Sequence, residues 1–424
     1  MSERLRTALV ALVVLLAGIP AWAQTDPALD RVTFKEAVRR ATERNPTVAE
    51  AAQAILRAEA LLDAAKSVFR PRLYGDVSTT ILDAARGFGG NITQPRTQYS
   101  FAGTVTYPFL AAEGWARKNQ VADQVEIARI SAEETRRQVA LTTGQAYLAV
   151  IAAERNRDIA LRNRDTARAL ADYSRARLDA GQGSRLNHVR SSQELASAEG
   201  LIHVAELAVQ QAQEALGVAT FSETPLDASG DPDIEPAVPP SEGDAWLIRR
   251  PDVRVFTAQL QAADRVVRDT WKSWLPEGTA YFTPQYVTPA GFFAPAKTWQ
   301  AFFQLQIPIF DGTIGATKRV RIADRETAKA RLDAVRLEAR SEVRLAQESV
   351  ARNLQIVAAS RDSAADALEA LRITEIAYKA GATTNIEVVQ AQQTARNSEL
   401  AAALAEDRLR QARLDLLVAL GQFP

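Results

Sequence analysis

The sequence predicts a mixed α and β membrane protein that is built from two tandem structural repeats. Three observations predict this fold class: aromatic-rich segments with the two-residue period of strands, long proline-free segments rich in helix-forming residues, and the recurrence of both in the second half of the chain. Each strand segment has about the 9 to 11 residues that a tilted strand needs to cross a bilayer. We therefore expect strands to cross a membrane.

The composition excludes several functional classes. The 424 residues carry 51 basic and 51 acidic side chains, so no net charge attracts the chain to nucleic acid. The absence of cysteine excludes disulfides and thiolate metal sites, and His188 and His203 are not at metal-ligand spacing. The carboxylates alternate with arginine along predicted helices, as on a solvated surface. We expect no enzymatic activity, no cofactor and no nucleic-acid partner.

Residues 1–23 have the pattern of a secretory signal peptide, with Arg4 and Arg6 before an apolar run and Ala21 and Ala23 at the cleavage site. We expect the mature chain to begin near Gln24. The apolar run is too short for a stable membrane-spanning helix, and no later segment offers the roughly eighteen continuous apolar residues that such a helix needs.

The predicted first repeat covers residues 24–217. Its elements are a helix to Asn45, a helix from Pro46 to about Phe69, strands at about 73–83 and 98–109, and a long helical hairpin with its tip near 181. Pro108 is expected to close the second strand, Ser184 to cap the second helix of the hairpin, and Gly217 to end it.

Residues 218–244 are rich in proline and acidic residues and are predicted to be a linker. The predicted second repeat covers residues 245–424. Arg250-Pro251 stands 205 residues after Asn45-Pro46, and Gly381 stands 200 residues after Gly181. Its strands are expected at about 279–288 and 298–309, with a bulge or early strand end at Pro284, and its hairpin tip near 381.

The strands have unlike faces, because apolar and polar side chains alternate along them, with Phe302 as an exception. A single run of this kind favours a half-buried strand of a soluble sheet. However, 19 of the 28 aromatic residues lie in residues 69–115 and 271–310, as expected for membrane strands and not for a shared soluble core. The predicted lipid-facing residues are Tyr99, Phe101, Val105, Tyr107, Trp299, Phe303, Leu305 and Ile307, whereas Gln98, Thr104, Gln304 and Gln306 are expected to face water.

The first long helix carries two apolar seams, one through Val125 and Val139 and one through Ile130 and Leu148. A helix with two seams has two neighbours, as in the wall of a tube, although a long antiparallel bundle is an alternative. Four strands cannot close a barrel, and an open edge in lipid leaves backbone groups without partners. Several chains must therefore pool their strands.

The chain resembles the TolC-type outer membrane factors, which are the exit ducts of Gram-negative efflux pumps and type I secretion systems. The residues that carry the resemblance are Phe34-Lys35-Glu36-Ala37 to Asn45-Pro46, IPIFDGTIGA at 307–316, the tips at Gly181 and Gly381, and the twofold repeat. One departure is TYPFLAAEGWA in the first repeat, which lacks the usual glycine pair at the turn from strand to helix.

The resemblance implies a homotrimer with a 12-stranded transmembrane β-barrel in outer membrane lipid, continued by a long periplasmic α-helical barrel. It implies a periplasmic adaptor protein and an inner membrane transporter as partners. Drug, metal and protein export are equally compatible with the sequence. The competing interpretation is a periplasmic coiled-coil adaptor or scaffold, which usually has one hairpin flanked by β domains. Detergent-dependent solubility separates the two classes.

The resemblance also implies the site residues. The helical hairpin tips would contact the adaptor through Gly181, Gly183, Gly381 and Thr384. A periplasmic gate would narrow the tunnel at Glu387, Gln390 and Asn187, although Gln390 stands where an acid is expected. A ring of Glu387 carboxylates would make the duct cation-selective. The alternative is an exposed glutamate at a helix start, stabilised by the helix dipole.

Overall fold

The computed structural model describes residues 29–234, 245–293 and 295–423. The predicted signal peptide and residues 235–244 of the predicted linker lie outside these ranges. The helices are α1 (Phe34–Arg44), α2 (Pro46–Ser67), α3 (Ala112–Asp179), α4 (Arg185–Ala219), α5 (Pro251–Asp269), α6 (Gly312–Lys379) and α7 (Asn385–Ala419). The strands are β1 (Asp30–Val32), β2 (Arg72–Ile81), β3 (Arg86–Phe88), β4 (Asn91–Gln94), β5 (Thr97–Leu110), β6 (Leu226–Ala228), β7 (Glu277–Thr288) and β8 (Lys297–Gln306).

The helix starts follow the local sequence. Asn45 caps α2 by accepting a hydrogen bond from the backbone N–H of Thr47 at 2.9 Å, and Pro46 occupies the first turn, where its missing N–H costs nothing. The predicted cap at Ser184 is confirmed, because its hydroxyl accepts from the Leu186 N–H at 3.2 Å. At the two strand-to-helix turns, Asp311 caps α6 through the Thr313 N–H, whereas Ala111 gives α3 no side-chain cap.

The long helices form a wall. Helix α3 contacts α1, α2, α4, α5 and α7, and α6 packs against α5 and α7. Both α3 and α6 have 68 residues, or about 100 Å at 1.5 Å per residue. Among the described residues, no helix combines the length and the hydropathy of a membrane-spanning segment.

The four longest strands form an antiparallel sheet in the order β2-β5-β7-β8. Two predictions about prolines were wrong. Strand β7 continues through Pro284, which pairs with Trp299 of β8. On the β5 side, no pair forms between Ala102↔Gln285 and Val105↔Phe282, so the missing N–H of the proline interrupts only that ladder. Strand β5 continues past Pro108 to Leu110, with a register shift between them that absorbs the missing donor.

The predicted linker is partly structured. Strand β6 pairs in parallel with β1, and Leu226 and Ala228 are buried with Tyr147 in a core cluster at the middle of α3. The hydroxyl of Tyr147 donates to the Gly230 carbonyl at 2.8 Å. Helix α4 runs to Ala219 and not to Gly217, and the left-handed turn falls at Phe221 (φ 55°). Periodicity could not predict β6, because its partner strand is almost 200 residues away.

Salt bridges connect the segment that follows β6 to the long helices. Arg155 of α3 and Arg410 of α7 both donate to Asp231, at 2.7 and 2.8 Å. Both also reach Asp407, at 3.3 and 2.9 Å. Burial raises the pKa of Asp407 above its ordinary value, and the two arginines only partly offset this effect.

Arg250, which is 4% exposed, holds three helices of the second repeat together. Its guanidinium lies 2.6 Å from Asp252 and 2.7 Å from Glu342 of α6, and it donates to the Ala419 carbonyl at the end of α7 at 3.2 Å. One buried cation therefore joins the start of α5, the middle of α6 and the end of α7.

Candidate functional site

One face of the sheet is apolar across all four strands. The register places the odd-numbered residues of β2, β5 and β8 on the same face as the even-numbered residues of β7. Seven of the eight predicted lipid-facing residues lie on this face: Tyr99, Phe101, Val105, Tyr107, Trp299, Phe303 and Leu305. The register adds Leu73, Val77, Ile81, Phe282 and Tyr286 to them.

The prediction for Ile307 was wrong in its strand assignment. Strand β8 ends at Gln306, and Ile307 follows it as an exposed residue outside the ladder. Pro308 restricts the backbone of the residue before it and has no N–H of its own to donate. The alternation of side chains continues to Ile309, three residues further than the hydrogen-bonded strand does.

The opposite face carries mostly polar side chains. Ser78, Ser100 and Gln285 lie on it, and the amide of Gln285 donates to the Ser100 hydroxyl at 2.8 Å. Gln98, Thr104, Gln304 and Gln306 also lie on this face, in agreement with their predicted phase. Phe302 is an exception, and it stands directly across from Tyr281 with ring centroids 6.0 Å apart.

The sheet and the helical wall both have open edges. Within the described residues, β2 and β8 each have one neighbour in the sheet, so each leaves one side of its backbone unpaired. The helices that border the wall expose large apolar side chains along their length. On α2 and α4 these are Leu56, Leu61, Leu186, Val189, Leu201, Val204, Leu207 and Val218, and on α6 they are Val320, Leu337, Leu345, Leu354, Ile356, Leu368, Ile373 and Ile376.

The two hairpin tips have the same backbone geometry. Gly181 and Gly381 adopt φ values of 73° and 78°, a region that glycine occupies without strain. In each tip the following residue closes the helix: the Gln182 N–H donates to the Arg177 carbonyl at 2.9 Å, and the Ala382 N–H donates to the Ala377 carbonyl at 2.8 Å. Gly183 packs against the backbone of Arg177 and Leu178, where a Cβ would clash. Thr384 caps α7 without a side-chain hydrogen bond.

The three predicted gate residues differ in exposure. Glu387 and Gln390 are exposed near the start of α7, whereas Asn187 is half-buried near the start of α4. The Asn187 carbonyl accepts from the Ser191 hydroxyl at 3.0 Å, and the buried Asn385 amide donates to the same hydroxyl at 3.0 Å. Asn187 is thus connected to the second hairpin through Ser191.

Sequence reasoning missed the contacts that join the tips. Tyr173 of α3 and Tyr378 of α6 meet edge to face at 5.7 Å, and the Arg177 guanidinium lies 5.9 and 5.8 Å from their ring centres. Further up, buried Glu194 of α4 accepts from Gln393 of α7 at 2.9 Å. The signal available in the sequence was Tyr173 and Tyr378, two aromatic residues in helices that otherwise contain few.

Comparisons with known proteins identify the family of this chain. The family model described as "Outer membrane efflux protein" matches residues 37–220 and 244–422. The chain belongs to the outer membrane efflux protein family. The outer membrane efflux protein BepC of Brucella suis biovar 1 is 26% identical over 432 residues, which cover 98% of this chain and 90% of BepC.

Solved structures share the fold at lower identity. The CmeC outer membrane channel of Campylobacter jejuni superposes with a TM-score of 0.80 at 17% identity, covering 92% of this chain and 86% of CmeC. The outer membrane protein VceC of Vibrio cholerae gives 0.77 at 16% identity, covering 92% and 96%. The family relationship makes this efflux protein an outer membrane exit duct and not an enzyme.

The histidines lie apart from any cluster of metal-binding side chains. His203 is exposed and lies 3.2 Å from Glu206, and His188 is half-buried near the first tip. The described residues contain no group of three or more His, Cys, Asp or Glu side chains that could hold a metal ion.

Proposed function

We propose that three copies of this chain form a 12-stranded transmembrane β-barrel continued by a long α-helical barrel in the periplasm, and that this duct carries efflux substrates out of the cell. The observation that carries the proposal is the four-stranded sheet with one apolar face and two open edges. Unpaired backbone groups in lipid cost several kcal/mol each, so the edge strands β2 and β8 must pair with those of other copies.

The helical wall supports the same assembly. The exposed apolar side chains on α6 stand at one border of the wall, and those on α2 and α4 stand at the other. When the α6 border of one copy packs against the α2 and α4 border of the next copy, the helices close into a ring. This pairing runs around the ring in the same direction as the pairing of β8 with β2. Three chains supply 12 strands, enough for a barrel with a water-filled lumen.

The chain organisation proposed with this function has three parts. Residues 1–23 are a signal peptide that directs the chain to the periplasm, and residues 24–217 and 245–424 are tandem repeats joined by residues 218–244. Equal helix lengths support the repeat, since α3 and α6 have 68 residues each and α4 and α7 have 35 each. The tips at Gly181, Gly183, Gly381 and Thr384 contact a periplasmic adaptor, which connects the duct to an inner membrane transporter.

Sedimentation in detergent tests the assembly. We expect the mature protein, starting near Gln24, to sediment as a trimer in mild detergent and to precipitate when detergent is removed, because the apolar sheet face then meets water. A monodisperse, detergent-free monomer would contradict the duct and would support the adaptor interpretation.

The gate is a separate part of the proposal. Three Glu387 carboxylates at the narrow end of the tunnel repel each other by about 1 kcal/mol per pair at several Å and high effective dielectric, and they concentrate cations. Gln390 and Asn187 complete the polar lining. Glu387→Gln should lower the cation-to-anion permeability ratio and weaken block by multivalent cations in planar-bilayer recordings.

A matched control for the gate is Glu375→Gln, which removes the same charge from α6 in the same hairpin. This substitution should leave both properties close to those of the wild type. If the two variants behave alike, Glu387 is an ordinary exposed glutamate at a helix start.

A further inference from the structure

The two edge strands of the sheet restrict how another strand can pair with them. In β2 the even-numbered residues bond to β5, since the Leu82 N–H donates to the Arg96 carbonyl at 2.7 Å. In β8 the even-numbered residues bond to β7, since the Val287 N–H donates to the Ala296 carbonyl at 2.8 Å. Successive residues of a strand point their backbone groups to opposite sides. The odd-numbered residues of β2 and β8 therefore direct their N–H and C=O groups to the open edges.

These backbone groups set the phase of any pairing between β8 of one copy and β2 of the next. Odd-numbered residues of β8 must stand opposite odd-numbered residues of β2. The side chains require the same phase, because the odd-numbered residues Trp299 of β8 and Val77 of β2 both lie on the apolar face. A shift by one residue would turn one of the strands inside out, so only every second register is allowed.

Closure of the barrel limits the registers further. A line of opposite residues crosses the sheet from Val77 through Phe101 and Tyr286 to Lys297. The residue that Lys297 meets on β2 of the next copy determines how far this line advances along β2. An advance toward the start of β2 is excluded, because too little of β8 would then overlap β2.

The tilt of the strands selects among the other advances. With about 3.4 Å per residue and about 4.8 Å between the strands of the proposed barrel, an advance of two, four, six or eight residues per copy tilts the strands by about 20°, 35°, 47° or 55°. Transmembrane barrels have tilts of about 35 to 45°. Advances of four and of six residues therefore remain.

The advance of six residues sets Lys297 against Asp83. Within the described residues Lys297 makes no ion pair, and the Asp83 carboxylate reaches only Arg86, at 4.0 Å. Opposite charges and aromatic side chains opposite β-branched ones stabilise neighbouring strands. The same register sets apolar residues against each other along the lipid face: Trp299 against Ile81, Phe303 against Val77, and Ile307 against Leu73.

The advance of four residues loses these pairs. It sets the Lys297 cation against the apolar side chain of Ile81, and the Phe302 ring against the Asp76 carboxylate. In the register that advances six residues, Asp76 instead stands opposite Gln304, whose amide can donate a hydrogen bond to it. Side-chain chemistry therefore favours the advance of six residues.

We propose that β8 of one copy pairs with β2 of the next copy in the register that sets Lys297 against Asp83, Phe303 against Val77 and Gln304 against Asp76. The proposal rests on the trimeric duct proposed above, and it specifies the contact by which the copies join. The partner of each sheet edge is thus a second copy of this chain, held at one register by an ion pair at the outer end of the strands.

Pairs of cysteines test the register, because the chain contains no cysteine of its own. Thr80 and Gln300 stand opposite each other in the proposed register, on the polar face and in a non-hydrogen-bonded pair, where Cβ atoms come close enough for a disulfide. With Thr80→Cys and Gln300→Cys together, each copy carries one cysteine at each edge. Mild oxidation of the detergent-solubilised trimer should link three copies covalently, as seen on non-reducing SDS gels.

The matched control combines Gln300→Cys with Ser78→Cys, which stand opposite each other only if the advance is four residues. In the proposed register these positions are a diagonal pair about 7 to 8 Å apart, so we expect linkage to be at least about tenfold slower. Ser78→Cys with Phe302→Cys tests the proposed register a second time, one pair further along the strands, and should link as fast as the first pair.

Faster linkage of the Ser78 and Gln300 cysteines would contradict the proposed register. A trimer in which neither pair of the proposed register links would contradict it as well. A stable trimer with another register defeats this inference alone, whereas a detergent-free monomer defeats the proposed duct.

Discussion

Replacing Val105 with arginine should prevent assembly of the proposed trimer. Val105 lies near the middle of β5, on the apolar face, between Leu73 of β2 and Phe282 of β7. An arginine on the lipid face near the bilayer midplane costs about 2 to 4 kcal/mol, which amounts to about 6 to 12 kcal/mol for three copies. We expect little or no trimer by size-exclusion chromatography of membrane extracts, with unassembled chain remaining.

The neighbouring residue provides the control. Thr104→Arg makes an equally large change one position away, on the polar face beside Tyr74, and should assemble nearly as well as the wild type. Leu305→Arg should have a smaller effect, about 0 to 1 kcal/mol, because Leu305 lies next to the last residue of β8 and so near the interface. Equal yields for Val105→Arg and Thr104→Arg would show that the faces are assigned wrongly.

Arg250→Met should destabilise the helical part strongly. The change leaves Asp252 and the Ala419 carbonyl without their guanidinium partner in a buried place, and loss of one member of a buried ion pair costs about 3 to 5 kcal/mol. We expect a clear fall in the thermal midpoint followed by circular dichroism. The control is Arg254→Met, one turn along α5, which removes a more exposed pair with Glu133 and should cost about 0 to 1 kcal/mol.

The Arg250–Asp252 ion pair makes the stability of the fold depend on pH. Burial of Asp252 opposes its ionisation, but hydrogen bonds from Arg250 outweigh this effect and lower the pKa of Asp252 below its ordinary value. A carboxyl with a lowered folded-state pKa stabilises the fold above its unfolded-state pKa and loses this contribution as the pH falls through the folded-state pKa. The deficit of Arg250→Met should therefore be largest at neutral pH and should shrink below about pH 4. A deficit that is independent of pH would contradict this origin.

Local patterns in the sequence were sufficient for the phase of the strands and for the hairpin tips. Alternation of side chains along β5 and β8 is fixed by the extended backbone itself, so Phe101 and Phe303 could be assigned to one face before their partners were known. Likewise, Gly181 and Gly381 mark tips because a left-handed residue closes a helix wherever it stands.

Tertiary structure alone decided which strands and tips meet. Phe302 lies directly across from Tyr281, and β7 continues through Pro284 beside Gly103. Leu226 of β6 pairs with Asp30 of β1, and the Asn385 amide donates to the Ser191 hydroxyl. Each of these contacts joins two separate segments of the sequence, so no local periodicity predicts it. The sequence by itself thus determined the types of element, the two faces of the strands and the family. The tertiary structure decided which residue contacts each polar or aromatic side chain that breaks the pattern of its strand or helix. A contact depends on the relative register of two segments, whereas a periodicity describes only one segment.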